Sequence, residues 1–170
     1  ASVRYGETTE DIYSGIRFTA TVEGTLGEGY TTGMLVIPKQ LLGEKELTKG
    51  FEGAEDVETI VWKGNTFSAV CYNIPDEYYG TELTARGYIA DADGNVVQYT
   101  ETETRSLAYV ASKALADGQV DTYGTLKGYV DKVSAGLEVP ASLDMVVGGK
   151  ETVVAKTNPE GYAVVWSSGN

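Results

Sequence analysis

The chain is expected to fold mainly as β-structure, an antiparallel β-sandwich carrying one or two short helices. Three observations predict this. At least five segments alternate apolar and polar side chains with a period of two. Gly, Pro, Asn and Asp punctuate the gaps between those segments. Only after Thr100 does the apolar spacing change to the threes and fours of a helix face.

Residues 65–100 form the stretch around which the rest is arranged, and read as three consecutive strands. In residues 66–74, Phe67, Ala69 and Cys71 share one face while Val70, Tyr72 and Ile74 share the other. Both faces are largely apolar, which suits a strand covered on two sides. Pro75 and Asp76 break it. Residues 83–90 alternate Leu83, Ala85, Gly87 and Ile89 against Thr84, Arg86, Tyr88 and Ala90. Asp93-Gly94 then offers the positive φ angles of a tight hairpin, and residues 96–100 return.

The other elements follow in order. Residues 1–14 are polar, with anchors at Val3, Tyr5 and Ile12. Residues 15–23 read as a strand whose Ile16, Phe18, Ala20 and Val22 face one way. Four glycines between 24 and 33 mark a flexible loop, and residues 34–37 a short apolar strand stopped by Pro38. Residues 39–53 make an irregular connection with a turn of helix around Leu41 and Leu42, and residues 57–62 alternate as one strand. Past Thr100 a polar run leads to a helix over 106–117, where Leu107, Val110, Ala111, Ala114 and Leu115 line one face. Thr104 or Ser106 caps it and Gly118 ends it. A weaker helix spans 123–133. The domain expectation is a sandwich module over 1–118, a helical linker over 119–136 and a further β segment over 137–170.

Composition narrows the function classes. The 170 residues carry 25 acids against 13 bases, a net charge of −12. That field repels phosphate backbones and anionic lipid, so nucleic-acid binding and membrane insertion are not expected. No apolar run approaches the ~20 residues of a membrane span. Histidine is absent, which removes Ser-His-Asp and Cys-His nucleophiles and the usual zinc sets. The lone Cys71 lies mid-strand and reads as a small buried hydrophobe. Residues 91–95, DADGN, have the look of a calcium loop, but lack the terminal Glu and are explained by a hairpin turn. The chain is therefore expected to be no enzyme and to need no cofactor.

A single cysteine forms no internal disulfide, which fits an intracellular protein or one exported by an organism that does without disulfides. The 12 tyrosines outnumber 3 phenylalanines and 2 tryptophans. Such an excess suits surfaces that touch a ligand, because the ring packs while the hydroxyl stays wet, and it suits amphipathic sheets equally. Trp62, beside a Lys-Gly-Asn turn, and Tyr78-Tyr79, on a connection, are the rings expected to be exposed. Arg17 and Arg86 each sit inside an apolar strand, with Tyr88 on the face of Arg86. If those strands are neighbours, the two guanidiniums and Tyr88 make a patch suited to sugars or carboxylates; otherwise they are structural ion pairs.

Beyond Leu137 the sequence runs Ser142-Leu143, Val147-Gly148-Gly149, Thr152-Val153-Val154-Ala155, Pro159 and Val165-Trp166-Ser167-Ser168. This resembles the opening of a group 2 bacterial immunoglobulin-like domain of the intimin and invasin type, in which Trp166 would be a core residue. A full immunoglobulin-like sandwich takes ~100 residues, whereas 34 run from Leu137 to Asn170. The expectation is an incomplete immunoglobulin-like segment that docks on the first domain, pairs with another copy of the chain, or belongs to a longer protein. The first 118 residues loosely resemble an accessory module of exported gut Firmicutes proteins, through Gly15-Ile16-Arg17-Phe18, Asn73-Ile74-Pro75, residues 84–89 and Arg105-Ser106-Leu107.

These resemblances imply an extracellular or cell-surface bacterial protein whose signal peptide has been removed. Its expected role is adhesion or carbohydrate binding, with Trp62, Tyr78, Tyr79 and Tyr88, joined by Arg86, as the platform. The expected partner is a glycan or host glycoprotein. The alternative is a structural spacer or assembly element without a small ligand.

Overall fold

The computed structural model describes residues 1–24 and 26–133, together with the backbone of 136–138 and 156–158. Eight strands form two antiparallel four-stranded sheets. The first sheet has the order β1 (Ser2–Arg4), β2 (Gly15–Thr21), β6 (Thr66–Tyr72), β5 (Ile60–Lys63). The second has the order β4 (Glu55–Val57), β3 (Thr31–Pro38), β7 (Leu83–Ala90), β8 (Val96–Arg105). Two further strands, β9 (Gly136–Glu138) and β10 (Lys156–Asn158), pair antiparallel with each other. The mainly β, sandwich-like class expected from the alternation is the class observed.

The period of two explains the main core. Ile16, Phe18 and Ala20 of β2, Phe67 and Ala69 of β6, Met34 and Val36 of β3, and Ala85 and Ile89 of β7 are all buried between the sheets. Gly87 lies at a close approach of the two sheets, because a Cβ there would stand 2.8 Å from that of Ala20 and 3.0 Å from the Phe67 ring. Burial of this apolar surface, at roughly 25 cal/mol per Å², is the main force holding the layers.

Three features differ from the sequence reading. Residues 65–100 do not lie in one sheet: β6 belongs to the first, and the chain crosses at a 3-10 turn over Asp76–Tyr78 to β7 in the second. Residues 57–62 are not one strand, because the chain changes sheet between β4 and β5. The strands covered on both faces are β3 and β7, not β6, whose outer face ends in exposed Tyr72. The cover on the second sheet is the connection after Pro38. It opens with α1 (Lys39–Leu42), and its Leu42 and Leu47 form a second core with Leu35, Ile37, Tyr88 and Ala90.

Gly33, read as loop, sits mid-strand opposite Tyr88, and a Cβ on it would fall 2.1 Å from the Tyr88 ring. A missing side chain there lets the ring lie across the strand. The hairpin between β7 and β8 uses positive φ at Gly94 alone, with Gly94 N–H donating to Asp91 C=O at 3.0 Å. The Asp91 carboxylate accepts from the amides of Asp93 and Asn95, which holds its proton affinity below the ordinary range. These bonds give the DADGN run the turn role that a hairpin asks of it. The polar run after Thr100 extends β8 instead of leading to the helix. β-branched threonines and outward charges are well suited to an edge strand.

Helix α2 (Leu107–Ala116) starts at Ser106, whose hydroxyl accepts from the Tyr109 amide. It packs against β1 and β2 and buries Leu107, Ala108, Val110 and Ala111. Helix α3 (Thr125–Asp131) has a glycine at its N-cap, and the Asp121 carboxylate takes over by accepting from the Leu126 and Lys127 amides. Leu126 and Tyr129 of α3 lie in the main core, and the Thr125 hydroxyl donates to Gly6 C=O. The segment read as a linker over 119–136 therefore supplies core side chains. The motif residues that resemble an immunoglobulin-like domain fall outside the described residues.

Candidate functional site

Among the described residues, the outer face of the first sheet is covered by no connection of the kind that residues 39–53 make over the second. Its rows follow from the register. Arg17 stands between Ser2 on β1 and Val70 on β6, and Gly15 between Arg4 and Tyr72. Trp62 falls at a bulge between Val61 and Lys63, where β5 slips against β6, so its ring swings over the face instead of following the pleat. The Arg17 guanidinium lies 4.8 Å from the centre of the Trp62 ring, and its Nε donates to Ser2 Oγ at 3.0 Å. Arg4 stacks over Tyr13 at 5.5 Å.

A cleft of about 740 Å³ opens beside this face, where the chain crosses from β4 to β5. Arg4, Tyr13, Trp62 and Tyr72 are among its lining residues, as are Glu55 and Glu58. Trp62 and Tyr13 are each 55% exposed and Tyr72 is 51% exposed. The volume falls inside the roughly 300–1,000 Å³ of small-molecule sites. Cys71 also lines the cleft. Burial pushes its thiol up to about 12, with the Glu55 carboxylate adding to the effect, so it is protonated and unreactive at neutral pH.

The structure separates the residues that the sequence grouped as a platform. Trp62 is exposed and borders the cleft. Tyr78 is exposed on the 3-10 turn but does not border it. Tyr79 is 5% exposed, packed edge-on against Tyr129 with ring centres 4.9 Å apart. Tyr88 is also 5% exposed, under the connection that covers the second sheet, and its hydroxyl donates to Asp56. These two rings are not presented to a ligand, because helices and loop cover the faces they stand on.

Arg86 shares that covered face. Its Nε donates to Thr100 C=O, its Nη1 to Glu46 and to Leu47 C=O, and its guanidinium stacks on Tyr99 at 4.5 Å. This is the structural ion pair, not the ligand-binding patch. Arg17 and Arg86 stand in different sheets and form no common patch.

Sequence reasoning missed Arg4, Tyr13 and Tyr72. Arg4 lies on a strand of three residues, too short to show a period. Tyr72 was placed on a face thought to be covered. Its position at the end of a strand, before an Asn-Ile-Pro break, was the signal available.

No family model matches this chain, and a search of curated proteins finds no match to it.

Proposed function

We propose that the chain is a non-catalytic carbohydrate-binding module of an exported bacterial protein, acting in adhesion at the cell surface. The observation that carries the reading is the concave cleft lined by three exposed rings, Trp62, Tyr13 and Tyr72, beside the first sheet. Sugars present apolar C–H faces ringed by hydroxyls. Stacking on fixed aromatic rings, with a few hydrogen bonds from flanking polar groups, holds them without burying a charge. Arg17 fixes Trp62 by stacking on it, so little ordering of the ring remains to be done on binding. Glu55 and Glu58, which also line the cleft, offer acceptors to hydroxyls.

The non-catalytic part of the reading is supported by the absence of histidine and by a thiol held protonated. Among the described residues no cluster of three or more His, Cys, Asp or Glu is suited to a metal, and no helix is long and apolar enough to cross a membrane. Export rests on the resemblance of the C-terminal sequence and on the single cysteine.

The test is a glycan array with affinity electrophoresis on plant and mucin polysaccharides. At least one glycan should bind, and Trp62→Ala should weaken it by ~1–3 kcal/mol, the scale for losing a packed anchor ring. Tyr78→Ala, away from the cleft, should leave it unchanged. The spacer reading is favoured by one observation: Tyr79 and Tyr88 spend their rings on packing. It prevails if no glycan binds.

A further inference from the structure

Three arginines, Arg4, Arg17 and Arg86, stand on the outer faces of the two sheets, each stacked on an aromatic ring, and their hydrogen bonding differs. Arg86 is well partnered: a carboxylate and two backbone carbonyls take three of its donors. Arg17 spends only Nε, on Ser2 Oγ, and Arg4 donates to no group among the described residues. Neither has an ion-pair partner among those residues, although the chain carries 25 acids. The two stand on the same face of neighbouring strands, Arg17 opposite Ser2 and Arg4 opposite Gly15, and Arg17 is lowered by desolvation and then by Arg4. Like charges held together on one face, in a protein of net charge −12, are a cost that an anion relieves.

We propose that this border of the cleft is an anion subsite, and that the sugar bound by the module carries a carboxylate that Arg4 receives with the support of Arg17. The inference rests on the carbohydrate-binding reading above and names the class of sugar within it. A guanidinium has five donors in a rigid fork that matches a carboxylate with two parallel bonds. Arg4 lines the cleft beside Tyr13, so a ring stacked among Tyr13, Trp62 and Tyr72 would set its carboxylate at that fork. Glu55 and Glu58, which also line the cleft, repel further carboxylates and accept hydroxyls. The cleft thus fits a hydroxyl-rich ligand that carries one charged group. An acidic peptide fits less well, because its additional carboxylates would meet these two glutamates.

The experiment is binding of matched pairs by titration calorimetry: trigalacturonate, a glucuronate-containing tetrasaccharide and sialyllactose, each beside its carboxyl-reduced counterpart. At least one acidic member should bind tenfold or more tighter than its reduced form, and this preference should fall as salt rises. Arg4→Gln, at a half-buried position, should erase the preference. Arg17→Gln should erase part of it. Equal binding of both members overturns the anion subsite and leaves the carbohydrate reading standing. Binding of neither member of any pair, nor of any neutral glycan, overturns both. Binding of polyglutamate without any sugar overturns both in favour of an acidic peptide.

Discussion

The Tyr88 hydroxyl donates to the Asp56 carboxylate at 2.6 Å, and the bond spans three strands. Tyr88 is on β7 and Asp56 on β4, with β3 between them, so the ring crosses β3 to reach its acceptor. It can do so only where β3 has no side chain, and that place is Gly33. Lys49 of the covering connection stacks its ammonium 5.0 Å from the same ring.

This arrangement sets a first expectation. Gly33→Ala forces the ring off its path, and overpacking of this kind costs about 1–3 kcal/mol. Tyr88→Phe keeps the packing and removes one hydrogen bond, at about 1 kcal/mol because Asp56 is exposed and regains water. Urea unfolding should rank the two in that order. A larger loss for Tyr88→Phe would show that the bond, not the ring's passage, organises this face.

A second expectation concerns Tyr129. Its hydroxyl is buried and makes no hydrogen bond of good geometry among the described residues; burial pushes it up to about 12, the nearby Ser14 hydroxyl opposing and Tyr79 adding. An unsatisfied buried hydroxyl carries a desolvation cost of about 1–3 kcal/mol. Tyr129→Phe should therefore melt at the same temperature or a few degrees higher, with its edge-on contact to Tyr79 intact. A drop in melting temperature would reveal a partner for the hydroxyl in solution.

The same groups set the response to alkali. Cys71 ionises near 9.0 when unfolded and near 12 when folded, and Tyr129 moves from 10.0 to about 12. Between those values the unfolded chain releases protons that the folded chain retains, so stability falls as pH rises. Melting temperature should hold up to about pH 9 and decline above it. Cys71→Ala should delay the onset to about pH 10, where the tyrosines begin. An onset unchanged by that substitution would remove Cys71 from the account.

Much of the architecture was legible in the sequence because one-sided burial imposes a period of two. Ile16, Phe18 and Ala20, like Phe67 and Ala69, announced their faces. The capped helix was legible for a similar reason, since Ser106 and the Leu107-Val110-Ala111 spacing are local signals. What alternation does not encode is the sheet to which a strand belongs. Residues 57–62 alternate without a break although the chain changes layer between Val57 and Ile60. Nor does it encode cover. Tyr88 and Trp62 are both ring-bearing strand positions, and a connection of some fifteen residues buries one while the other stays open. The candidate site was legible only in Trp62, because Arg4, Tyr13 and Tyr72 meet through strand register.

A fourth expectation follows from α3. Leu126 and Tyr129 are fully buried against the sandwich, so a chain ended after residue 118 exposes the core that they cover. It should lose cooperative melting, while one ended after residue 133 should retain it. Cooperative unfolding of the shorter chain at an unchanged temperature would return α3 to the role of a linker.

The strands enter the two sheets in pairs, β1 and β2 in the first, β3 and β4 in the second, β5 and β6 in the first, β7 and β8 in the second. This alternation governs the sequence of events as the chain leaves a ribosome. The first sheet gains its last strand once Tyr72 has emerged, but β3 must wait for β7, so the second sheet stays half-built until Arg105 is free. Through that interval the inner faces of β2 and β6 have only a two-stranded lid. Partners some fifty residues apart make assembly dependent on slow, distant encounters. Synthesis paused between residues 72 and 105 would hold an apolar surface open to any binding protein waiting for it.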